Sequence, residues 1–174
     1  MKLETKNNIE KYFGGDGKKA DEITDTKSKE YFIEWLSENG VKPENIFPTG
    51  DFSHIDIVAQ TKRGLYGFEL KKRRCPSGRY PDAIIDGKKY DQIITAADNF
   101  KRGTGEDIKT FVVSFYNDGK MYIWNMEKNF TSEMYRPQHT EVSGNKEYVS
   151  TTAHHYIFSD GYDVTDDRIK IIYS

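Results

Sequence analysis

Apolar and polar positions follow two rhythms along this chain, and the rhythm changes at marked breaks. Phe32, Trp35 and Leu36 fall on one helical stripe, Asp25 or Thr26 can cap its start and Asn39-Gly40 its end, so a helix is predicted from there to Asn39. Pro43 and Pro48 bracket a short connection. Two strand-like runs follow, His54–Gln60 and Leu65–Lys71, joined by Thr61–Gly64 at a spacing that suits a hairpin. Arg74–Pro81, rich in Pro, Gly and Arg, reads as a loop. Tyr90, Ile93, Ile94, Ala97 and Phe100 recur at helical spacing and predict a second helix over Lys88–Phe100. Thr110–Tyr116 and Lys120–Asn125 predict a second hairpin around Asn117-Asp118-Gly119. Residues 1–24 are polar and glycine-punctuated and read as an arm. Within that arm, Gly14-Gly15-Asp16-Gly17-Lys18 fails as a phosphate loop, because Tyr12 stands at the first glycine position and Lys19 replaces Ser or Thr. Beyond Met126 the pattern weakens to short strands over Tyr148–Thr152, His155–Phe158 and Ile169–Tyr173. The order α, β, β, α, β, β predicts a mixed α/β fold with helices packed on a central sheet. It divides into an arm (1–24), a core (25–125) and a β-rich C-terminal extension packed on the core (126–174).

The chemistry concentrates in the first predicted hairpin. Strand side chains alternate faces, so Glu69 and Lys71 point one way while Tyr66, Phe68 and Leu70 point the other. Asp56 lies between Ile55 and Ile57 on the partner strand, which can bring it beside Glu69 and Lys71. Three charges on an otherwise apolar hairpin cost desolvation energy, and a divalent cation would offset it. Asp56 and Glu69, with the Leu70 carbonyl, are candidate ligands for Mg²⁺ or Mn²⁺, and Lys71 can act on an attacking water and on the charge of a phosphate. The motif alone is weak: acid-x-Lys occurs seven times in this chain, and Glu69/Lys71 is the one set inside an apolar strand pattern.

Charge adds a partner to this picture. The net charge is −2 and the pI about 6.1, which argues mildly against nucleic acid. From Lys62 to Arg79, however, seven cations stand against one acid, Glu69, and such a patch can track a phosphate backbone. Lys72, Arg73 and Arg74 continue directly from the strand that carries Glu69 and Lys71 and are candidate phosphate contacts. Tyr122, Trp124, Tyr135, Tyr148 and Tyr156 could stack bases, although strand aromatics are ordinarily core. Cys75, the single cysteine, excludes an internal disulfide, and MKLETKNNIEKYF is too polar for a signal-peptide core. No run approaches the ~18 apolar residues of a membrane span. The expected setting is the cytoplasm, without a membrane partner.

Ile-Asp-Ile-Val-Ala (55–59), a short turn, then Tyr-Gly-Phe-Glu-Leu-Lys-Lys-Arg (66–73) resembles the core of the PD-(D/E)xK nuclease superfamily, which includes restriction enzymes and Holliday-junction resolvases. Upstream, Glu30, Leu36 and Gly40 match the helix that commonly opens those folds. The resemblance covers roughly 27–116, and His54-Ile55-Asp56 departs from it by lacking the proline of the name. It implies a restriction-endonuclease-like mixed sheet flanked by helices, with extra C-terminal strands here. It also implies metal ligation by Asp56 and Glu69, catalysis by Lys71, and an accessory acid at Glu30, for which Glu34 is the rival. The second helix borders the active site in such folds, so Lys89 joins the candidate phosphate contacts. DNA is the implied substrate, hydrolysed by a metal-activated water; the same chemistry would cut RNA. Many members work as homodimers. The competing reading is a non-catalytic nucleic-acid-binding or protein-interaction module on the same fold, which the acidic pI favours.

Overall fold

The structure, a computed structural model, describes residues 2–13, 26–50, 53–80, 83–128, 130–141, 148–158 and 162–164; from 130 to 163 it describes the backbone alone. Helix α1 spans Leu3–Phe13 and α2 Thr26–Glu38, followed by β1 (Ile46–Pro48), β2 (Ile57–Thr61), β3 (Gly64–Arg73) and β4 (Ala83–Asp86). Helix α3 (Gly87–Thr104) leads to β5 (Ile108–Tyr116), β6 (Met121–Asn125), β7 (Phe130–Glu141), β8 (Tyr148–Phe158) and β9 (Tyr162–Asp163).

The main sheet is mixed, in the order β1-β2-β3-β5-β6-β9, with β3 and β5 parallel and the other pairs antiparallel. Its two faces are both apolar and both covered. On one face Val58, Leu65, Ile108 and Val112 meet Ile9 and Phe13 of α1 and Ile93 and Phe100 of α3. On the other, Ile57, Phe68, Val113 and Phe115 meet Tyr31, Phe32 and Leu36 of α2. The protein is therefore a mixed α/β fold with helices on both sides of a central sheet. The turn between β2 and β3 is tight, and Gly64 closes it at φ 121°, a conformation that disfavours other residues. Gly67 is required for space: a Cβ there would lie 2.9 Å from Ile55 Cδ1, and that isoleucine packs over β3 immediately before Asp56.

Three expectations change. The first half of the supposed arm is helix α1, held by Phe13, whose ring lies 5.4 Å from Phe100. Its stripe of Thr5, Ile9 and Phe13 has helical spacing but only two strongly apolar members. The rejected phosphate loop and Ile169–Tyr173 lie outside the described residues. The weakly patterned C-terminal region contains a long hairpin, β7–β8, which joins β4 in a second sheet of order β4-β8-β7. With β9 on the main sheet, pairing crosses the expected 125/126 boundary in both directions. Trp124 is buried and stacks on Tyr122 at 5.7 Å, as core aromatics do. Among the described residues, no helix is long and apolar enough to cross a membrane.

Candidate active site

Alternation along β3 decides which side chains enter the site. Tyr66, Phe68 and Leu70 pack toward α2, so Glu69 and Lys71 project to the face that carries α1 and α3. Glu69 is only 3% exposed there. The Lys71 ammonium donates to its Oε1 at 2.5 Å. The Lys89 ammonium stands 3.0 Å from its Oε2, yet Oε2 accepts no hydrogen bond. Lys89 reaches Glu69 because α3 begins beside β3, where Asp86 caps the helix by accepting from the Lys89 backbone N–H at 3.2 Å.

Asp56 is fixed from both sides of Glu69. Its N–H donates to the Phe68 carbonyl at 2.9 Å, and its Oδ2 accepts from the Leu70 N–H at 2.7 Å. The carboxylate thus continues the ladder just before β2 begins. An extended residue directs its N–H and C=O to the same edge, so the Leu70 carbonyl points toward Asp56 as well. Thr49 braces this corner: its N–H donates to the Asp56 carbonyl at 3.0 Å, and its hydroxyl donates to the Ile55 carbonyl. Lys29 of α2 donates to the Thr49 carbonyl at 3.4 Å and lies 3.9 Å from Asp56 Oδ1.

Burial, followed by the nearby Asp56 charge, raises the Glu69 pKa above the ordinary 4.5; Lys71 and Lys89 lower it but do not prevail. Burial and the Lys89 ammonium lower the His54 pKa below 6.5. The Lys89 charge therefore acts on His54 as well as on Glu69, with which it is paired.

The structure brings Asp56, Glu69, Leu70 and Lys71 together and redistributes the rest. Glu30 and its rival Glu34 are exposed on α2, and Lys29, about 100° away around the helix, is the residue beside Asp56. Lys89, a candidate phosphate contact, is paired with Glu69 within the site. The basic run is two patches: Lys62 and Arg63 tip the β2–β3 turn, about 26 Å along β3 from Lys71. Lys72 and Arg74 are exposed. Arg73 turns inward instead, donating to Ser114 Oγ at 3.2 Å and to the Ile84 carbonyl at 2.7 Å. Its guanidinium thereby ties β3 to β5 and β4. Arg73→Ala is expected to lower stability by about 1–3 kcal/mol in urea titrations while leaving DNA affinity unchanged in fluorescence anisotropy; weakened binding at unchanged stability would restore the phosphate role.

Among the described residues no group of three His, Cys, Asp or Glu side chains gathers as a metal cluster. The donor set present is smaller: the Asp56 and Glu69 carboxylates and the Leu70 carbonyl. It suits Mg²⁺, which binds through one or two carboxylates and retains several waters. The buried Glu69 Oε2 has the Lys89 ammonium 3.0 Å away but accepts no well-aligned hydrogen bond, so a cation bound there would have to displace that ammonium.

Neither a family model nor a curated protein sequence matches the chain. Among solved structures it is similar to Hjc from Archaeoglobus fulgidus, a Holliday junction resolvase of an archaeal hyperthermophile. The TM-score is 0.49 and the identity 14%, over 80% of this chain and 90% of that one.

Proposed function

We propose that this protein is a metal-dependent endonuclease that hydrolyses DNA phosphodiester bonds. One observation carries the reading: a carboxylate 3% exposed, Glu69, has a lysine at each of its oxygens, and Asp56 is bonded to the residues on both sides of it. A purely structural strand gains little from burying that much charge. Asp56, Glu69 and the Leu70 carbonyl would hold Mg²⁺ or Mn²⁺, which in such sites polarises the phosphate and acidifies a bound water. Lys71, one-third exposed and already donating to Glu69, can turn its remaining protons to the attacking water and to the charge growing on the phosphate oxygens. Glu69 orients that lysine, and together with Asp56 it keeps the phosphate from binding without a cation, because two carboxylates repel it. Exposed Lys72 and Arg74 extend the positive surface from the end of β3 along the nucleic-acid backbone.

The competing reading has its own support. Two ammonium groups already balance Glu69, so the cluster could neutralise itself in a non-catalytic binding module. Incubation with duplex, single-stranded and branched DNA and with RNA, in Mg²⁺, Mn²⁺ or EDTA, separates the two. Cleavage of DNA in Mg²⁺ or Mn²⁺ that stops in EDTA is the expected result. A folded preparation that cuts nothing and takes up no Mn²⁺ in calorimetry would leave the binding module as the answer.

A further inference from the structure

A cleft of about 580 Å³ opens between α1 and α3 on the face that carries Glu69. Gln92, Thr95 and Asn99 line it from α3, and Tyr12 of α1 and His54 complete the lining. The three α3 residues are three and four positions apart, which places them in one row on one side of the helix. His54 and the α3 N-terminus also join the cleft to the catalytic cluster: His54 is two residues from Asp56, and Lys88 adjoins the Lys89 that meets Glu69.

The lining says what chemistry fits. Its row of amides and a hydroxyl offers donors and acceptors at several heights, and the Asn99 amide nitrogen remains a donor while its Oδ1 accepts from Arg102 at 2.5 Å. The half-buried Tyr12, packed edge-on against Phe100 at 5.7 Å, adds an aromatic wall. A phosphate suits the cleft poorly, because the one cation in the lining, Lys88, is opposed by Asp91. An aliphatic ligand would strand the polar row without partners. A flat, neutral ring edged with hydrogen-bonding groups satisfies every wall, and the volume lies within the range of small-ligand pockets.

We propose that this cleft receives one unstacked nucleobase from the nucleotide next to the scissile phosphate. The proposal rests on the nuclease reading and narrows its substrate. Drawing a base out of a duplex costs a few kcal/mol and least where the base is already unpaired, so the preferred DNA is single-stranded or carries unpaired nucleotides at the cut. Gln92, Thr95 and Asn99 then read the base edge and set which base is preferred.

The test uses the full chain with Lys71→Ala, so that substrate binds without being cut. Oligonucleotides carry 2-aminopurine on one or the other side of the cut position mapped with the wild-type protein. Stacking quenches this base, so its emission is expected to rise several-fold at one of the two positions on binding. Adding Gln92→Ala and Asn99→Ala together should remove the rise and weaken binding about tenfold; Thr95→Phe, which fills the cleft, should do the same with the circular dichroism spectrum unchanged. DNA cleavage by the wild type with no emission change at either position, or a rise indifferent to both sets of cleft variants, overturns the cleft and leaves the nuclease standing. Absence of cleavage on every substrate overturns both.

Discussion

Lys71→Ala is expected to slow DNA cleavage by about 10²- to 10⁴-fold, the usual range for losing a group that acts on protons and charge in the transition state, while Lys72→Ala costs less than about tenfold. The two residues are adjacent and carry the same charge, so composition cannot separate them. Strand geometry does. Lys71 lies on the Glu69 face with its ammonium 2.5 Å from Oε1, whereas Lys72 is exposed and points the opposite way. Removing Lys72 should instead weaken substrate binding and reduce the dependence of affinity on log salt by about one unit, the signature of one lost phosphate contact. Single-turnover rates at saturating protein isolate the chemical step from binding. Equal losses at the two positions would mean that Lys71 contributes charge alone, and the proposed catalytic face of β3 would be wrong.

The same alternation explains how much of the site was legible. Glu69 and Lys71 stand out in the sequence because charge interrupts an apolar strand, and Asp56 stands out for the same reason between two isoleucines. The inward turn of Arg73 was legible too, since it shares the parity of Glu69 and Lys71, but the run of four cations obscured it. Lys29 and Lys89 carry no such mark. Each sits near the start of a helix, where a lysine resembles any solvated cation, and only tertiary packing brings Lys89 to Glu69 and Lys29 to Asp56. On α2 the resemblance pointed to Glu30 through its spacing to Leu36 and Gly40, whereas the residue that helical phase sets beside Asp56 is Lys29.

The fold divides on similar lines. Helix α2 falls within a residue of its predicted span, and the hairpins β2–β3 and β5–β6 form where expected, although β2 starts at Ile57 and leaves His54 and Asp56 just before it, because their periodicity is regular and their turns are marked by glycine or by Asn-Asp-Gly. Helix α1 is short and mostly polar, and an isolated helix of that length is marginal in water. Its stability comes from Ile9 and Phe13 packed on the sheet and α3, which no local window reports. Strands β1 and β4 have three and four residues, too few for a periodic signal. Strand β7 contains Pro137 and scattered charges, and its backbone is extended through pairing with β8 and not through local propensity.

Glu69→Gln is expected to abolish cleavage and, without metal, to make the fold more stable than the wild type at neutral pH. Burial is the leading cause that raises the Glu69 pKa, the Asp56 charge is the second, and the two lysines offset them incompletely. The folded protein therefore holds this proton more tightly than the unfolded chain does. By linkage, the stability that Glu69 contributes is complete below the unfolded value near 4.5 and is lost as pH rises through the higher folded value. Each unit between the two values is worth about 1.4 kcal/mol, and at 3% exposure little solvent screening reduces it. Glutamine keeps the shape and never ionises, so the gap between variant and wild type should open across that window and stay level above it. A bound divalent cation reverses the sign, since it favours the ionised carboxylate: Mg²⁺ should raise the wild-type unfolding temperature at neutral pH and leave the glutamine variant almost unmoved. Thermal unfolding of both proteins in EDTA and in Mg²⁺, from about pH 4 to about pH 8, reads both effects. Parallel curves, shifted equally by Mg²⁺, would show that Glu69 neither bears an uncompensated charge nor meets the metal.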